Sequence, residues 1–328
     1  MLSKVFVIFL LFSAPVSAQN PPQLSNPDRM RLAEAFRLAE ALGDSIWPGW
    51  SQAPFAALLV TPEYEFLLRH PNPSQDFTFA NYDSLLQSQV YFRQRIFQTD
   101  FLATFPAVNG MPTIVIGQRE NTAAKNSTSW AITLLHEHFH QLQMSQPNYF
   151  AEVNALGLAR SDETGMWMLN FPFPYDSIAV QRQFAVMMHT LVAALESVKT
   201  KKFSNRLVKY REARQRFRHL LSEDDFKYFS FQLWQEGVCR YTEYRLARLA
   251  AQKYKPSPAF ASLHDFVLFE KEAETIFERI IMELKDGSLA NDRRGIFYAM
   301  GAAEALLLDA AKPDWRQRYF IEKFSVFK

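Results

Sequence analysis

The sequence predicts an α+β fold in which a small N-terminal sheet precedes a larger, mostly helical part. Three observations carry this. Short β-branched or alternating runs are confined to residues between Phe55 and Gly117, and everything after Ser127 follows a helical period. The 10 glycines and 17 prolines in 328 residues are too few for a loop-rich all-β chain. Hydrophobic residues make up 48% and charged residues 21%, which excludes a disordered or fibrous chain. Thirty phenylalanines promise a large aromatic core. A net charge of +2 gives no reason to expect a polyanionic partner. The single cysteine, Cys239, excludes an intramolecular disulfide and a cysteine-rich zinc knuckle. Any metal site must therefore use histidines and carboxylates.

The first element is not part of the fold. Lys4, the apolar run Val5 to Phe12 and the small residues Val16-Ser17-Ala18 read as a cleavable export signal over residues 1–18, cut after Ala18. The apolar run is shorter than the about 20 residues that cross a bilayer. No later stretch reads as a span, so the mature chain is expected outside the cytoplasm, secreted or periplasmic, without a transmembrane segment. Residues 19–328 then form one unit, with a helix and small sheet over 19–126 and a helical part over 127–328.

After a proline-rich lead, Asp28 can cap a helix whose stripe is Met30, Ala33, Phe36 and Leu42. Ala56 to Val60, Glu63 to Leu68, Gln89 to Phe97 and Thr113 to Gly117 read as strands. Helices follow near 128–145, 178–198, 205–221, 223–253, 263–285 and 295–311, broken at Pro172-Phe173-Pro174, Pro256-Ser257-Pro258 and Lys312-Pro313. Ser127, Thr128 and Ser129 are all possible caps for the first of these.

That first helix holds the segment that carries chemistry, His136-Glu137-His138-Phe139-His140, an HExxH pattern. At 3.6 residues per turn, His136 and His140 lie one above the other on one face, a spacing that lets both imidazoles reach one Zn²⁺. Glu137 stands beside the first ligand, where it can take a proton from a water the metal activates. With 7 histidines in the chain, chance placement gives the pattern in about 1% of shuffled sequences. The bland alternative is a histidine-rich surface helix. His138 points away from the ligand edge, to an outer partner's position or to solvent.

Two histidines leave a tetrahedral ion short of a protein ligand. Gln143 and Gln146 exclude the extended HExxHxxGxxH motif. Glu152 and Glu163 are near in sequence but lack a recognisable helical setting. Glu236 has one, within Trp234-Gln235-Glu236-Gly237-Val238-Cys239-Arg240-Tyr241-Thr242-Glu243, where Glu236, Arg240 and Glu243 share a face. On helix logic alone this face is either a ligand with two outer partners that orient the site or a salt-bridged solvent face.

HExxH followed by a helix reading Trp-x-x-Glu-Gly-x-x-x-Tyr-x-Glu resembles the gluzincin group of zinc metallopeptidases, within the peptidase MA-like superfamily. The resemblance covers the two helices and their surroundings. It implies a zincin-like fold, Zn²⁺ as cofactor, a peptide or protein substrate, Glu236 as third ligand and Glu137 as general base. It also implies a tyrosine some sixty residues beyond the third ligand that stabilises the oxyanion; Tyr298 falls 62 residues after Glu236. Tyr298 reads equally as a core residue packed with Phe297 and Leu308, and Tyr241 and Tyr244 are weaker candidates. Glu236 lies 96 residues after His140, an interval that holds two expected helices, so the pocket walls differ from those of the aminopeptidase relatives.

The implied activity is hydrolysis of amide bonds, with the Ile114–Ile116 strand, if it is a sheet edge, pairing with an extended peptide. The rival reading is a catalytically silent secreted module that binds zinc or peptide, with Cys239 as a possible fourth metal ligand. The basic stretch from Lys199 to Arg218 reads as a solvated helix face, and Phe203, Tyr210 and Phe217 within it as a buried stripe. No nucleic-acid motif, GxSxG, P-loop or GxGxxG occurs.

Overall fold

Asn26 to Ile46 form α1, and the chain then builds its sheet. The computed structural model describes residues 21–327, so the expected export signal at residues 1–18 lies outside the described residues. The cap of α1 is Ser25, not Asp28: the Ser25 hydroxyl accepts from Asp28 N, Pro27 occupies the first turn, and Asp28 follows as its acidic residue.

Six strands follow: β1 (Ala57–Val60), β2 (Tyr64–Leu68), β3 (Thr78–Asp83), β4 (Ser88–Gln94), β5 (Leu102–Val108) and β6 (Met111–Gly117). They lie in the order β3-β4-β2-β1-β6-β5. Only β1 and β6 run parallel, Ala57 opposite Ile114 and Val60 opposite Gly117. Side chains alternate as strands require. Ala57, Leu59, Ile114 and Ile116 face the main core, whereas Leu58, Val60 and Val115 join Phe77 and Val108 on the other face. The Ile114–Ile116 strand is not a sheet edge. It is the interior strand β6, and the edge beyond it is β5.

Two strands escape the sequence pattern. β3 is mostly exposed and lacks the apolar alternation of a half-buried strand. β5 carries Pro106, tolerated because the strand is an edge and its pairing slips between Phe105 and Val108. A signal for β5 existed: Asn109-Gly110 turns the chain into β6 with positive φ at both residues, 46° and 72°, as a two-residue hairpin loop demands.

The helical part comprises α2 (Ser127–Met144), α3 (Tyr149–Ala155), α4 (Trp167–Asn170), α5 (Ile178–Glu196), α6 (Phe203–Arg218), α7 (Glu223–Gln232), α8 (Val238–Lys253), α9 (Pro258–Ala261), α10 (Phe269–Asp286), α11 (Leu289–Asp292), α12 (Ile296–Ala311) and α13 (Trp315–Tyr319). The helix expected from 223 to 253 is interrupted by a π-helical turn, Leu233–Gly237, between α7 and α8. The helix expected from 263 starts only at Phe269. α12 is apolar nearly all round and is packed by α5, α8, α10 and the π turn. Contrary to the sequence reading, one later helix, α5, is long and apolar enough to cross a membrane, with a mean hydropathy of 1.3 over its window. Its Phe184, Met187 and Leu191 are buried in the main core.

On α6 the aromatic stripe is as spaced: Tyr210 and Phe217 are buried and Phe203 packs beside them. Arg214 is an exception to the solvated basic face. Its Nε donates to Glu304 Oε1 at 2.7 Å, and the Tyr210 hydroxyl donates to the same oxygen. Glu304 is fully buried on α12. A buried carboxylate needs such partners, and this one fastens α6 to α12.

Candidate metal centre

The HExxH helix is anchored at both ends before any ligand is placed. At its start Asn126, rather than Ser127, Thr128 or Ser129, is the cap: its Oδ1 accepts from Ser129 N at 2.8 Å, and Ser129 Oγ accepts from Asn126 N. Ser127 Oγ donates to Asp265 and Thr128 Oγ1 to the Val267 carbonyl, both at 2.6 Å. Further along, Gln141 Nε2 donates to the carbonyls of Ala56 and Pro112, each at 2.9 Å, fixing α2 on the sheet. His136, Glu137 and His140 are consequently buried and held.

The π turn supplies the opposing carboxylate. Glu236 Oε2 lies 3.7 Å from His136 Nε2 and 3.4 Å from His140 Nε2. The other ring nitrogens face away from it. His136 Nδ1 is 2.6 Å from Glu243 Oε1, and His140 Nδ1 is 2.7 Å from Gln143 Oε1. A neutral ring that donates Nδ1–H to these oxygens offers its Nε2 lone pair on the Glu236 side, the form in which it would bind a metal. Gln143 in turn donates through Nε2 to the carbonyls of Trp234 and Gln235, both at 3.1 Å, so one amide ties the second histidine to the π turn.

The electrostatics favour positive charge between these groups. Burial works against the His136 imidazolium, but Glu236 and Glu243 at its two nitrogens outweigh it and push its pKa up to about 10. Burial likewise opposes the Glu236 carboxylate, yet His140, His136 and Arg294 hold it well below the usual carboxylate range.

The donor set fits a tetrahedral divalent cation. Ligands at about 2.0–2.1 Å from such an ion stand about 3.3–3.4 Å apart, close to the 3.4 and 3.7 Å seen here. A second grouping exists, since donor atoms of His136, His140 and Cys239 lie within 4.8 Å of one another. It fits less well. Cys239 Sγ is 3.4 Å from His140 Nδ1, the nitrogen already engaged by Gln143, and donates to the Gln235 carbonyl at 2.8 Å. Burial, with Glu236 next, pushes the thiol well above its ordinary value, whereas a metal binds the thiolate.

Around the two histidines the structure assembles the remaining sequence candidates. Glu137 Oε2 lies 2.8 Å from Thr104 Oγ1 of β5, which is also 3.0 Å from the Glu137 carbonyl. The Tyr298 ring is stacked on that of His136, 6.2 Å between centroids and 14° between planes. Burial and the Glu236 carboxylate push its phenol well up, so it stays protonated. Arg294 Nη1 donates to Tyr298 Oη at 3.0 Å and lies 3.4 Å from Glu236 Oε1.

Other candidates lie elsewhere. Glu152 does sit on a helix, α3, and is paired with Lys323 Nζ at 2.8 Å. Glu163 is exposed outside any helix. Tyr241 donates to Asp309, and Tyr244 accepts from Arg248. His138 points away from the ligand edge, but into the core and not to solvent: it stacks on Phe55 at 3.8 Å, and burial lowers its pKa to about 3.

Sequence reasoning missed Thr104, Gln143 as a positioning amide, Gln235, whose Nε2 lies 3.0 Å from His140 Nδ1, and Arg294. Only Arg294 had a usable signal, being one helical turn from Tyr298. Comparison with protein-family models, curated proteins and solved structures gives no match. The functional reading therefore rests on the geometry of this site.

Proposed function

We propose that the chain is a zinc-dependent peptidase that hydrolyses peptide bonds, with Zn²⁺ held by His136, His140 and Glu236. The observation that supports it is the convergence of Glu236 Oε2 on the Nε2 atoms of both HExxH histidines. When bound, zinc supplies a Lewis acid for the scissile carbonyl and acidifies a water.

The protein's own groups do the rest. Glu243 and Gln143 fix the two imidazoles from behind. Thr104 engages Glu137 Oε2, leaving Oε1 to take a proton from the attacking water and return it to the leaving amine. The Tyr298 phenol donates toward the carbonyl oxygen as negative charge builds there. The free edge of β5, beside Glu137, offers backbone groups to an extended substrate.

The test is metal content and amide hydrolysis in the same variants. Glu137→Gln should keep zinc and lose about 10²–10⁴-fold in rate, the span of a general base. Glu236→Ala should lose zinc, and Cys239→Ser should keep it. Full activity in Glu137→Gln would end the peptidase reading. Zinc lost in Cys239→Ser but kept in Glu236→Ala would support the second reading, a non-catalytic module with a His136–His140–Cys239 site.

A further inference from the structure

Beside the metal centre lies a cavity of about 450 Å³ that the hydrolysis steps above do not use, lined among others by Arg240, Arg294 and Tyr298. Tyr298 is its shared wall. One ring stacks on His136, and the same ring carries two guanidinium groups, Arg294 Cζ at 5.3 Å and Arg240 Cζ at 5.8 Å from its centroid.

Arg240 is the unusual member. Its Nε and Nη1 are buried and have no hydrogen-bond partner among the described residues. The nearest carboxylate, Glu243, stands 3.6 Å from Nε, beyond hydrogen-bond reach, and is itself engaged by His136 and Arg279. Burying guanidinium nitrogens without acceptors is costly, and a planar carboxylate is the partner whose geometry best matches two of them. Glu283 and Asp292 also line the cavity, and neither hydrogen-bonds Arg240 Nε or Nη1, although Glu283 lies close enough for the Arg240 charge to act on its carboxyl. Asp292 Oδ2 accepts from Ser288 N at 2.7 Å, and Glu283 faces Arg279 at 3.9 Å. The cavity wall therefore contains an arginine two of whose donors lack an acceptor.

We propose that this cavity is a carboxylate subsite: it receives a carboxylate of the substrate, borne on the C-terminus or on an acidic side chain, between Arg240 and Arg294. The proposal rests on the peptidase reading for its substrate class. The position suits it, because the ring that stacks on His136 at 6.2 Å carries both guanidinium groups within 5.8 Å, so the subsite stands no more than about four residues of extended chain, at about 3.3 Å each, from the His136 ring. The recognised carboxylate then belongs to a residue close to the scissile bond.

Arg240 is the residue to change, since it touches neither Glu236 nor the HExxH histidines in hydrogen-bond contact. Binding is measured by calorimetry on the zinc-loaded Glu137→Gln protein with three probes: acetyl-tetra-alanine as free acid, the same peptide as amide, and acetyl-Ala-Ala-Glu-Ala-amide. The expected result is a tenfold or greater preference for one carboxylate probe over the neutral amide. Arg240→Met should erase the preference while leaving amide affinity within twofold, and Arg240→Lys should restore part of it. Whichever acid binds identifies the source, a terminus or a side chain. Equal affinity for all three probes, or a preference that survives in a folded Arg240→Met, overturns the proposal. Failure of the peptidase reading looks different: the unsubstituted protein with zinc would cleave none of the peptides, whatever their binding order.

Discussion

At the scale of single residues, the side chain that deserves a test is Thr104. Its one hydroxyl proton can serve the Glu137 carboxylate or the Glu137 carbonyl, both within 3.0 Å, and by either bond it holds Glu137 against the edge strand. Replacing it by the near-isosteric valine leaves a buried acceptor unpaired, at about 1–3 kcal/mol. We expect Thr104→Val to lower kcat about tenfold with KM little changed, and Thr104→Ser to recover most of it; steady-state kinetics on a peptide amide decides. A kcat unaltered in Thr104→Val would mean that the base is positioned by its helix alone. The two kinds of residue were not equally legible. His136, Glu137 and His140 are spelled out within five positions because one helix carries them. Thr104 sits 33 residues away on a strand, and nothing in the spacing of a lone threonine says which helix will cross it.

At the scale of elements, the π turn governs the site. Where the sequence suggests one unbroken helix, an extra residue is inserted at Leu233–Gly237, and the bulge carries Glu236 to the histidines while Glu243 reaches the far side of His136. Periodicity put Glu236, Arg240 and Glu243 together, but no local preference marks a π turn. The turn meets α12 at Gly237 and Gly301. A Cβ on Gly237 would stand 2.4 Å from Gly301 Cα, so the π turn and α12 touch backbone to backbone. This contact brings Tyr298 and Arg294 beside Glu236. Gly237→Ala must separate the two helices. It should cost about 1–3 kcal/mol or more, as overpacking does, and weaken zinc retention in the same variant. Thermal melts and metal analysis would show both. An alanine variant that melts like the original and keeps its zinc would refute this account of the site.

For the whole molecule, the α+β order was readable because the strand-like runs are confined between Phe55 and Gly117 and the helical periods, α1 apart, follow Ser127. The strand order was not, since β1 pairs with β6 across more than fifty residues of intervening sheet. Long-range polar contacts then join the two parts. Asp265, after α9, accepts from Ser127 Oγ on α2 and pairs with Arg119 Nε at 3.0 Å, while buried Arg31 of α1 donates to the same Ser127. Burial would raise the Asp265 carboxyl, but Ser127, Arg31 and Arg119 hold it below its ordinary value. A depressed carboxylate stabilises the fold fully above its unfolded pKa of about 3.9, and this contribution fades as pH falls through the folded value. Asp265→Asn should therefore lower Tm at pH 7, and the gap to the original protein should close below about pH 4. A gap that is the same at pH 3 and pH 7 would rule the linkage out.

The wide separation of the site's parts along the chain has a consequence for how the protein comes into being. Glu236 follows His140 by 96 residues, and Tyr298 follows Glu236 by a further 62. A growing chain holds Glu137 long before it holds Glu236 or Tyr298. Under the proposed function, a nascent or truncated fragment is inert until the chain has been made past Tyr298 and α12 has docked on the π turn. A hydrolase assembled in that order needs no separate inhibitor while it is being synthesised.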